Sequence, residues 1–386
     1  MTPGARVAAA IAVLDQINDG AAAEQALTAW ARGSRYAGSK DRAAVRDHVF
    51  DVLRARRSLG GGSGRSLMQR LAKREDWPID DLFNGEGHAP APLSDEERAG
   101  LSAQLDLGQA AACDLPDWLW PLWQDSLGPD AQAAALIQQG RADVFLRVNQ
   151  RRGTTKDAAA LLAQDGIETQ PHPTVATCLR VTHNPRRVKT STAYLEGLVE
   201  LQDAASQCAI NAVAAPIGAR ILDFCAGGGG KALGFADLRD AQVFAHDIDP
   251  ARMRDLPERA ARAGVQITAL ATNELSQSAP FDLVFCDAPC SGAGTWRRTP
   301  DAKWRLTAER LGALMQSQDA VLDAAAPLVA VGGQLVYATC SVLKDENSGA
   351  IARFLARNTR WHMVSHFQLL PDTDGDGFYL CVLGQK

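Results

Sequence analysis

The sequence lacks an uninterrupted apolar run that could cross a membrane. The nearest candidate, residues 324–343, has no charge but is interrupted by Pro327, Gly332, Gly333 and Gln334, which indicates a helix end, a turn and a strand. The first residues, MTPGARVAAAIAVLDQ, contain only a short apolar run followed by acidic residues, so a signal peptide is not expected. We therefore expect a soluble, cytoplasmic protein in which the cysteines are free thiols.

The composition also lacks the biases that mark non-globular proteins. Hydrophobic residues make up 46% of the chain and charged residues 22%, which excludes a disordered, collagen-like or coiled-coil protein. A chain of 386 residues should form two or three domains and bury enough surface to fold without a disulfide or a structural metal. The 8 cysteines therefore need a functional explanation.

The chain has no overall excess of basic charge, since its net charge is −5. The distribution is uneven, however, because the first 75 residues hold 13 Lys and Arg against 7 Asp and Glu. A basic module joined to an acidic body is typical of a nucleic-acid-binding protein with a separate catalytic domain. A solvated helical surface would explain the same charges, so both interpretations stay open.

Hydrophobic periodicity divides the chain into three domains and one linker. Apolar spacing predicts helices over residues 6–17 and 39–59, and a Gly- and Pro-rich segment then leads to a helix near Ser94, with Glu97 at capping-box spacing. Further on, short apolar strands alternate with helical runs, which predicts a parallel sheet covered on both faces. The resulting domains are a helical domain at 1–85, a linker at 86–113, a small α/β domain at 114–197 and a larger α/β domain at 198–386.

A glycine-rich loop, CAGGGGK, follows the predicted strand ARILDF and precedes a helical run. Glycines let the backbone turn sharply and approach a ligand, and the helix N-terminus offers free N–H groups. A phosphate-binding loop would need glycine at 225 and Ser or Thr at 232, where this chain has Cys225 and Ala232, so we reject it. We predict that the loop binds a nucleotide-type cofactor through Cys225, Ala226, Gly227, Gly228, Gly229, Gly230 and Lys231.

Polar residues follow the next two predicted strands. Asp247, 20 residues beyond Gly227, can accept hydrogen bonds from the ribose hydroxyls of an adenine-containing cofactor. Asp249 precedes Pro250 and is the better candidate for capping the following helix. Asn273 could bind the adenine edge, although an Asn in a loop is often a turn residue.

Two later strands end in cysteine motifs, DAPC ending at Cys290 and YATC ending at Cys340. Both motifs stand at carboxyl ends of strands, where open α/β sheets place their chemistry. A zinc or iron–sulfur site that also used Cys225 and Cys286 is disfavoured, because the four cysteines do not form two closely spaced pairs. We therefore expect no metal.

Several segments resemble the RNA cytosine-5 methyltransferases of the RsmB/Sun/Nop family. They lie within residues 198–386 and are ILDFCAGGGGK, DAPCSGAGTWRRTPDAKWR, YATCSVLKDENS, LQDAASQ and GDGFYLCVL. The resemblance implies a class I, Rossmann-like methyltransferase sheet with S-adenosylmethionine as cofactor. It also implies that Cys340 attacks C6 of cytosine and that Cys290 assists release of the product. The chain departs from the family where Gly227 and Gly228 replace Ala-Pro.

The chemistry explains why such an enzyme needs a thiol. Carbon 5 of cytosine is too electron-poor to take a methyl group directly, but addition of a thiolate at C6 makes C5 nucleophilic. An ordinary cysteine, with a pKa of about 8.5, supplies little thiolate, so a cation such as Lys231 should help. Asp287 can bind the N3/N4 edge of the base. The predicted catalytic group is therefore Cys340, Cys290, Asp287 and Lys231, and Asp287 also borders the cofactor.

The resemblance extends to the opening helices, which are similar to the NusB-like RNA-binding domain of bacterial 16S rRNA members, here abbreviated. It also implies that the small α/β domain binds RNA, with Arg147 and Asn149 as contacts, although a polar pair on an edge strand would explain the same residues. Cations after the DAPC motif, close to Trp296 and Trp304, are suited to stacking and phosphate contact. These predicted RNA contacts are Arg297, Arg298 and Lys303.

We predict a monomeric methyltransferase that acts on RNA, most directly 16S rRNA, and that has no membrane partner. Transfer RNA is an alternative substrate, because the same family modifies it. A non-catalytic RNA-binding assembly factor that keeps the fold is an alternative of a different class.

Overall fold

The computed structural model describes residues 1–238 and 241–386. The chain divides into two compact units. The first unit consists of Met1–Gln124, Gly128–Arg141 and Trp296–Arg305, and the second of Asp125–Leu127, Ala142–Thr295 and Leu306–Lys386. None of the described helices is long and apolar enough to cross a membrane.

The first unit is helical. Val7, Leu14, Val49 and Leu53 lie on the buried faces of its first and third helices, at the spacing that predicted those helices, and belong to one core. The α-helices of this region are Pro3–Asn18, Ala23–Gly33, Ser39–Arg54, Gly64–Arg74, Ile79–Leu82, Asp95–Ser102, Gln109–Ala112, Trp120–Leu127, Ala131–Leu136 and Pro300–Arg305.

The segment predicted as a linker, 86–113, includes a helix that packs into this unit. The Ser94 hydroxyl accepts a hydrogen bond from the Glu97 N–H, and the Glu97 carboxylate accepts one from the Ser94 N–H, which forms the predicted capping box. The same carboxylate receives two hydrogen bonds from Arg65, at 2.7 and 3.0 Å. The Arg65 guanidinium lowers the pKa of Glu97 to about 2. The helix predicted near Ser94 is therefore present, and the segment 86–113 lies within the helical unit.

The segment after the DAPC motif also belongs to the helical unit. Trp296 stacks on Trp123 with ring centroids 5.8 Å apart, and the indole N–H of Trp304 donates to the Leu53 carbonyl at 2.7 Å. The helical unit therefore extends beyond the predicted range 1–85 and takes in a segment that is remote in sequence.

The second unit contains a small antiparallel sheet. Its strands lie in the order Glu168–Pro171, Cys178–His183, Val144–Val148 and Val199–Leu201. Its helices are Thr155–Gln164 and Thr192–Leu195. Because Val199–Leu201 pairs with Val144–Val148, the boundary predicted between residues 197 and 198 would cut through this sheet, and the structure corrects it.

A seven-stranded sheet forms the rest of the second unit. Its strands lie in the order Trp361–Leu369, Phe378–Gln385, Val329–Thr339, Phe281–Asp287, Arg220–Asp223, Gln242–Ala245 and Ile267–Ala269. The last five run parallel, as the sequence predicts. Phe378–Gln385 pairs antiparallel with Val329–Thr339 and with Trp361–Leu369, which makes the sheet mixed. The helices of this region are Ala204–Ala212, Gly230–Leu238, Leu256–Ala263, Leu275–Ser278, Ala308–Ala325 and Ser348–Arg357.

Both faces of this sheet are buried, which explains why its central strands are apolar at nearly every position. Along Phe281–Asp287, Leu283 and Phe285 point into one core, and Val284 and Cys286 point into the other. The parallel arrangement brings the carboxyl ends of the strands to one edge, where the candidate site lies.

Candidate active site

The two cysteine motifs leave the sheet side by side. Strands Phe281–Asp287 and Val329–Thr339 are paired in register, with Asp287 opposite Ala338. Their following loops place the sulfur atoms of Cys290 and Cys340 3.5 Å apart. Both thiols line a cavity of about 1030 Å³ at the carboxyl ends of the strands. The structure thus brings together two residues that lie 50 positions apart in the chain.

Lys231 and Asp287 form an ion pair in the same cavity, with Nζ 2.6 Å from Oδ2. Burial opposes the positive charge of Lys231, but the Asp287 and Asp223 carboxylates and the Cys340 thiol outweigh it, so the pKa of Lys231 is raised. Lys231 is therefore a cation at neutral pH. It can stabilise negative charge that develops in this cavity.

The surroundings of Cys290 disfavour its thiolate. The hydrogen bond with Cys340, then burial and the nearby negative groups, raise the pKa of Cys290 well above its ordinary value. Burial likewise raises the pKa of Cys225 and of Cys286. Among the described residues, no cluster of His, Cys, Asp or Glu is arranged to hold a metal ion.

The glycine-rich loop lines the cavity from the other side. Gly227 has a positive φ of 51°, and its N–H donates to Asp247 Oδ2 at 2.9 Å. Asp247 is 2% exposed, and Asp249 caps the following turn by accepting from the Ala251 N–H. The cavity lining includes eight of the residues predicted to bind the cofactor, namely Cys225, Ala226, Gly227, Gly228, Gly230, Lys231, Asp247 and Asp287.

Two predicted cofactor residues lie outside the cavity lining. Gly229 has a φ of 78°, and a Cβ there would meet the Leu256 side chain, so this glycine allows close packing of the loop. Asn273 is exposed, whereas its neighbour Thr272 lines the cavity and is hydrogen-bonded to His246 at 3.0 Å. The prediction that Asn273 binds adenine does not agree with this placement.

Comparison with known proteins agrees with this site. The family model described as 16S rRNA methyltransferase RsmB/F matches residues 212–383, and the RsmF/B-like ferredoxin-like domain matches residues 115–189. Ribosomal RNA small subunit methyltransferase B of Vibrio cholerae is 34% identical over 305 residues, which cover 75% of this chain and 70% of that protein. The chain belongs to the RsmB/Sun family of rRNA methyltransferases.

Solved structures agree with this RsmB/Sun fold. PH0851 has a TM-score of 0.76 at 21% identity and covers 100% of this chain and 99% of its own. NSun6 from Pyrococcus horikoshii with SFG has a TM-score of 0.62 at 16% identity and covers 70% of this chain and 98% of its own. The larger sheet therefore has the fold of S-adenosylmethionine-dependent methyltransferases, as the sequence predicts.

S-adenosylmethionine is the cofactor of this RsmB/Sun family, and the cavity fits it. Asp223, at the end of its strand, is 1% exposed and borders the cavity. Its Oδ2 accepts from the Ala232 N–H at 3.0 Å, but Oδ1 is buried without a partner. Burial raises the pKa of Asp223 to about 7. An ammonium group, such as that of the cofactor, would supply the missing donor and keep the carboxylate ionised.

The Asp247 carboxylate at the end of the neighbouring strand would hold the ribose hydroxyls, and the loop at Gly227 and Gly228 leaves room for the cofactor. When bound, S-adenosylmethionine supplies an electrophilic methyl group. The sequence interpretation missed Asp223, although an acidic residue that ends an apolar strand is a recognisable signal.

Arg147 and Asn149, predicted to contact RNA, are buried in this RsmB/Sun protein. Arg147 is 2% exposed and donates to Asp237 at 2.6 Å and to Gln202 at 2.9 Å. Asn149 is 4% exposed and donates to the carbonyls of Gly197 and Ala263. The hydrogen-bond donors of both side chains are occupied by partners inside the second unit. The structure therefore contradicts the prediction that these residues contact RNA.

Two of the three cations after the DAPC motif are also buried. Arg297 is 3% exposed and its carbonyl accepts from Arg54, while Lys303 is 2% exposed and donates to the Arg54 carbonyl at 3.4 Å. Burial, opposed by Asp114, lowers the pKa of Lys303 to about 8. Their side chains are buried within the helical unit, so the structure contradicts the prediction that they contact RNA. Arg298 keeps part of its surface exposed, and its RNA contact stays a prediction.

Proposed function

We propose that this chain transfers a methyl group from S-adenosylmethionine to carbon 5 of a cytosine in 16S rRNA, with Cys340 as the nucleophile. The observation that carries the proposal is the pair of thiols 3.5 Å apart beside the Lys231–Asp287 ion pair. One thiol suffices for addition to C6. A second thiol at this distance supports a reaction that also needs a proton acceptor for product release.

In the first step, the Cys340 thiolate forms a bond to C6 and the electron pair of the C5=C6 bond moves into the ring. Lys231 stabilises the thiolate, and Asp287, held by Lys231, can bind the N3/N4 edge of the base and favour its protonated form. Carbon 5, made nucleophilic by this addition, would then accept the methyl group that bound S-adenosylmethionine supplies.

In the release step, a base removes the C5 proton, the C5=C6 bond forms again, and the C6–sulfur pair returns to Cys340. Cys290 is suited to be this base. The main cause of its raised pKa is the hydrogen bond with Cys340, and the charge of Cys340 adds to it. In the adduct Cys340 is a neutral thioether, which is a weaker hydrogen-bond acceptor and carries no negative charge, so both effects diminish. Cys290 therefore ionises more easily after the adduct has formed, when a proton acceptor is needed.

The relatives named ribosomal RNA small subunit methyltransferase B support 16S rRNA as the substrate. The chain spans 70% and 66% of the lengths of the first two of these relatives. A cytosine must leave its stack to reach a thiol inside a cavity, so the target should be a loop or a transiently opened position.

We infer that the helical unit, which the sequence resemblance predicts to be NusB-like, docks RNA at a basic pocket. A pocket of about 760 Å³ is lined by Arg32, Arg35 and Arg42, all exposed, together with Trp30. Arg46 also lines it but is paired with Glu24. Arginines around an aromatic side chain suit phosphate contact and base stacking.

A triple variant in which Arg32, Arg35 and Arg42 become Ala tests this docking site. RNA binding should weaken, and the slope of log K against log salt should fall by about 2 units if three phosphate contacts are lost. Cofactor affinity, measured by calorimetry, should stay at the wild-type value. An unchanged salt slope would contradict the docking site without touching the assignment of the active site.

The proposed reaction is tested by bisulfite sequencing of rRNA and tRNA from cells with and without this gene, followed by methylation of the same RNA by the purified protein. We expect one 5-methylcytosine of 16S rRNA to disappear with the gene. Loss of a tRNA site would keep the chemistry and change the substrate. No change at any site would refute the proposal and favour a non-catalytic assembly factor.

A further inference from the structure

Glu346 is a buried acidic residue next to both cysteine loops that the steps above do not use. It lies five residues after Ser341 in the sequence, just before helix Ser348–Arg357, and is 0% exposed. Its carboxylate forms no ion pair with any residue that the structure describes. A buried carboxylate without a cation is costly unless hydrogen bonds satisfy it, so its partners explain its presence.

Four hydrogen bonds satisfy this carboxylate. Oε1 accepts from the Ser291 N–H at 2.8 Å and from the Gln318 side-chain amide at 3.0 Å. Oε2 accepts from the hydroxyls of Ser291 and Ser341, each at 2.5 Å. Each oxygen therefore has two donors, and the carboxylate closes a polar network.

The donors come from the residues that follow the two thiols. Ser291 is the residue after Cys290, and Ser341 is the residue after Cys340. Gln318 also donates to the carbonyl of Pro289, on the other side of Cys290, at 3.0 Å. A single carboxylate thus connects the two cysteine loops at the point where each leaves its strand.

We propose that Glu346 is a positioning residue that sets the separation of the Cys290 and Cys340 sulfur atoms by binding Ser291 and Ser341. The proposal deepens the proposed function and rests on it for the link to catalysis. Two thiols that act on the same cytosine must be held in position to within a fraction of an ångström, because a misplacement of about 1 Å can lower the rate roughly 10²-fold. The negative charge of Glu346 also contributes to the raised pKa of Cys290.

Glu346→Gln is the sharpest perturbation, because the amide keeps the shape but replaces one acceptor oxygen by a donor. The Ser291 N–H and the Gln318 amide then compete for one remaining oxygen with the two hydroxyls. The control is Glu309→Gln, an exposed glutamate at the start of helix Ala308–Ala325 in the same unit.

The first readout is disulfide formation between Cys290 and Cys340 in the full-length protein treated with diamide. Diamide is a diazene that removes two electrons and two protons from a thiol pair and becomes a hydrazine. Mass spectrometry of the alkylated peptides follows this pair separately from the other cysteines. We expect Glu346→Gln to slow disulfide formation about tenfold or more and Glu309→Gln to leave it unchanged.

The second readout is methylation. We expect Glu346→Gln to lower kcat by about 10- to 100-fold with little change in the KM for RNA or in cofactor affinity, because the loops move but the binding surfaces stay. If Glu346 had a purely structural role, the variant would instead have a lower thermal midpoint, and kcat, the KM for RNA and cofactor affinity would all change together. If Glu346→Gln does not fold, Ser291→Ala removes a single hydroxyl donor and should slow disulfide formation by a smaller factor.

The two hypotheses fail separately. Disulfide formation at the wild-type rate in folded Glu346→Gln overturns the positioning role, whatever the enzyme methylates. Slow disulfide formation in that variant, combined with an active Cys340→Ala enzyme, would support the positioning role and overturn the proposed reaction.

Discussion

Replacing Arg147 distinguishes a structural role from an RNA contact. In Arg147→Met, the Asp237 carboxylate loses its 2.6 Å partner; among the residues that the structure describes, it keeps two longer hydrogen bonds, from the N–H groups of Gln150 and Arg151 at 3.3 Å. Both side chains of the ion pair are 2% exposed, so water cannot replace the guanidinium. Burial already raises the pKa of Asp237 despite the attraction of Arg147.

The expected cost follows from this burial. Removing one partner of a buried ion pair destabilises a protein by about 3–5 kcal/mol, which is a large part of a typical stability of about 5–15 kcal/mol. With a urea dependence of roughly 3 kcal/mol per M, the unfolding midpoint of this unit should fall by about 1 M or more. The double variant Arg147→Met/Asp237→Leu should recover most of the loss, because it leaves no unpaired charge.

The assay combines urea unfolding with RNA binding at several salt concentrations. RNA affinity per folded molecule should not change in Arg147→Met, and the exposed Arg187→Met serves as a control with a wild-type midpoint. An Arg147→Met protein of unchanged stability, with a salt slope reduced by about 0.7–0.9, would show that Arg147 contacts phosphate and that our argument is wrong.

Three further predictions concern the active site and the helical unit. Cys340→Ala should abolish methylation but bind S-adenosylmethionine normally, and residual turnover would contradict its role as nucleophile. Cys290→Ala should accumulate a protein–RNA adduct that survives denaturing gels; free RNA alone would leave another group as the release base. Glu97 has a pKa lowered to about 2 by Arg65, so its ion pair stabilises the fold above the ordinary pKa of 4.5 and is lost as the pH falls towards 2. In Glu97→Gln, the thermal midpoint should therefore decrease less between pH 4.5 and 2 than in the wild-type protein. An unchanged pH dependence would show that this ion pair does not contribute to stability.

The sequence predicted those parts of the site that short local patterns encode. The strand before the glycine-rich loop, the capping box at Ser94 and the strand-end positions of Cys290 and Cys340 all agree with the structure. These features depend on residues within a few positions of one another. The alternation of short apolar strands with helical runs also predicted a parallel sheet buried on both faces.

Burial and pairing of polar residues could not be predicted in the same way. Arg147 looks like an RNA contact in FLRVN because its partner, Asp237, lies 90 residues further along the chain. Asn273 and Thr272 are adjacent in sequence, and only the path of the loop decides which of them lines the cavity. Lys303 appears basic and accessible after the DAPC motif, but its segment is buried in the helical unit.

The sequence by itself determined the family, the cofactor and the two cysteine motifs, because these are carried by contiguous residues whose chemistry does not depend on distant contacts. Only the tertiary structure decided that the two sulfur atoms lie 3.5 Å apart, that Glu346 connects their loops, and that four of the five cationic or polar residues predicted to contact RNA are buried. The physical reason is that burial and electrostatic pairing arise between residues that folding brings together from distant parts of the chain.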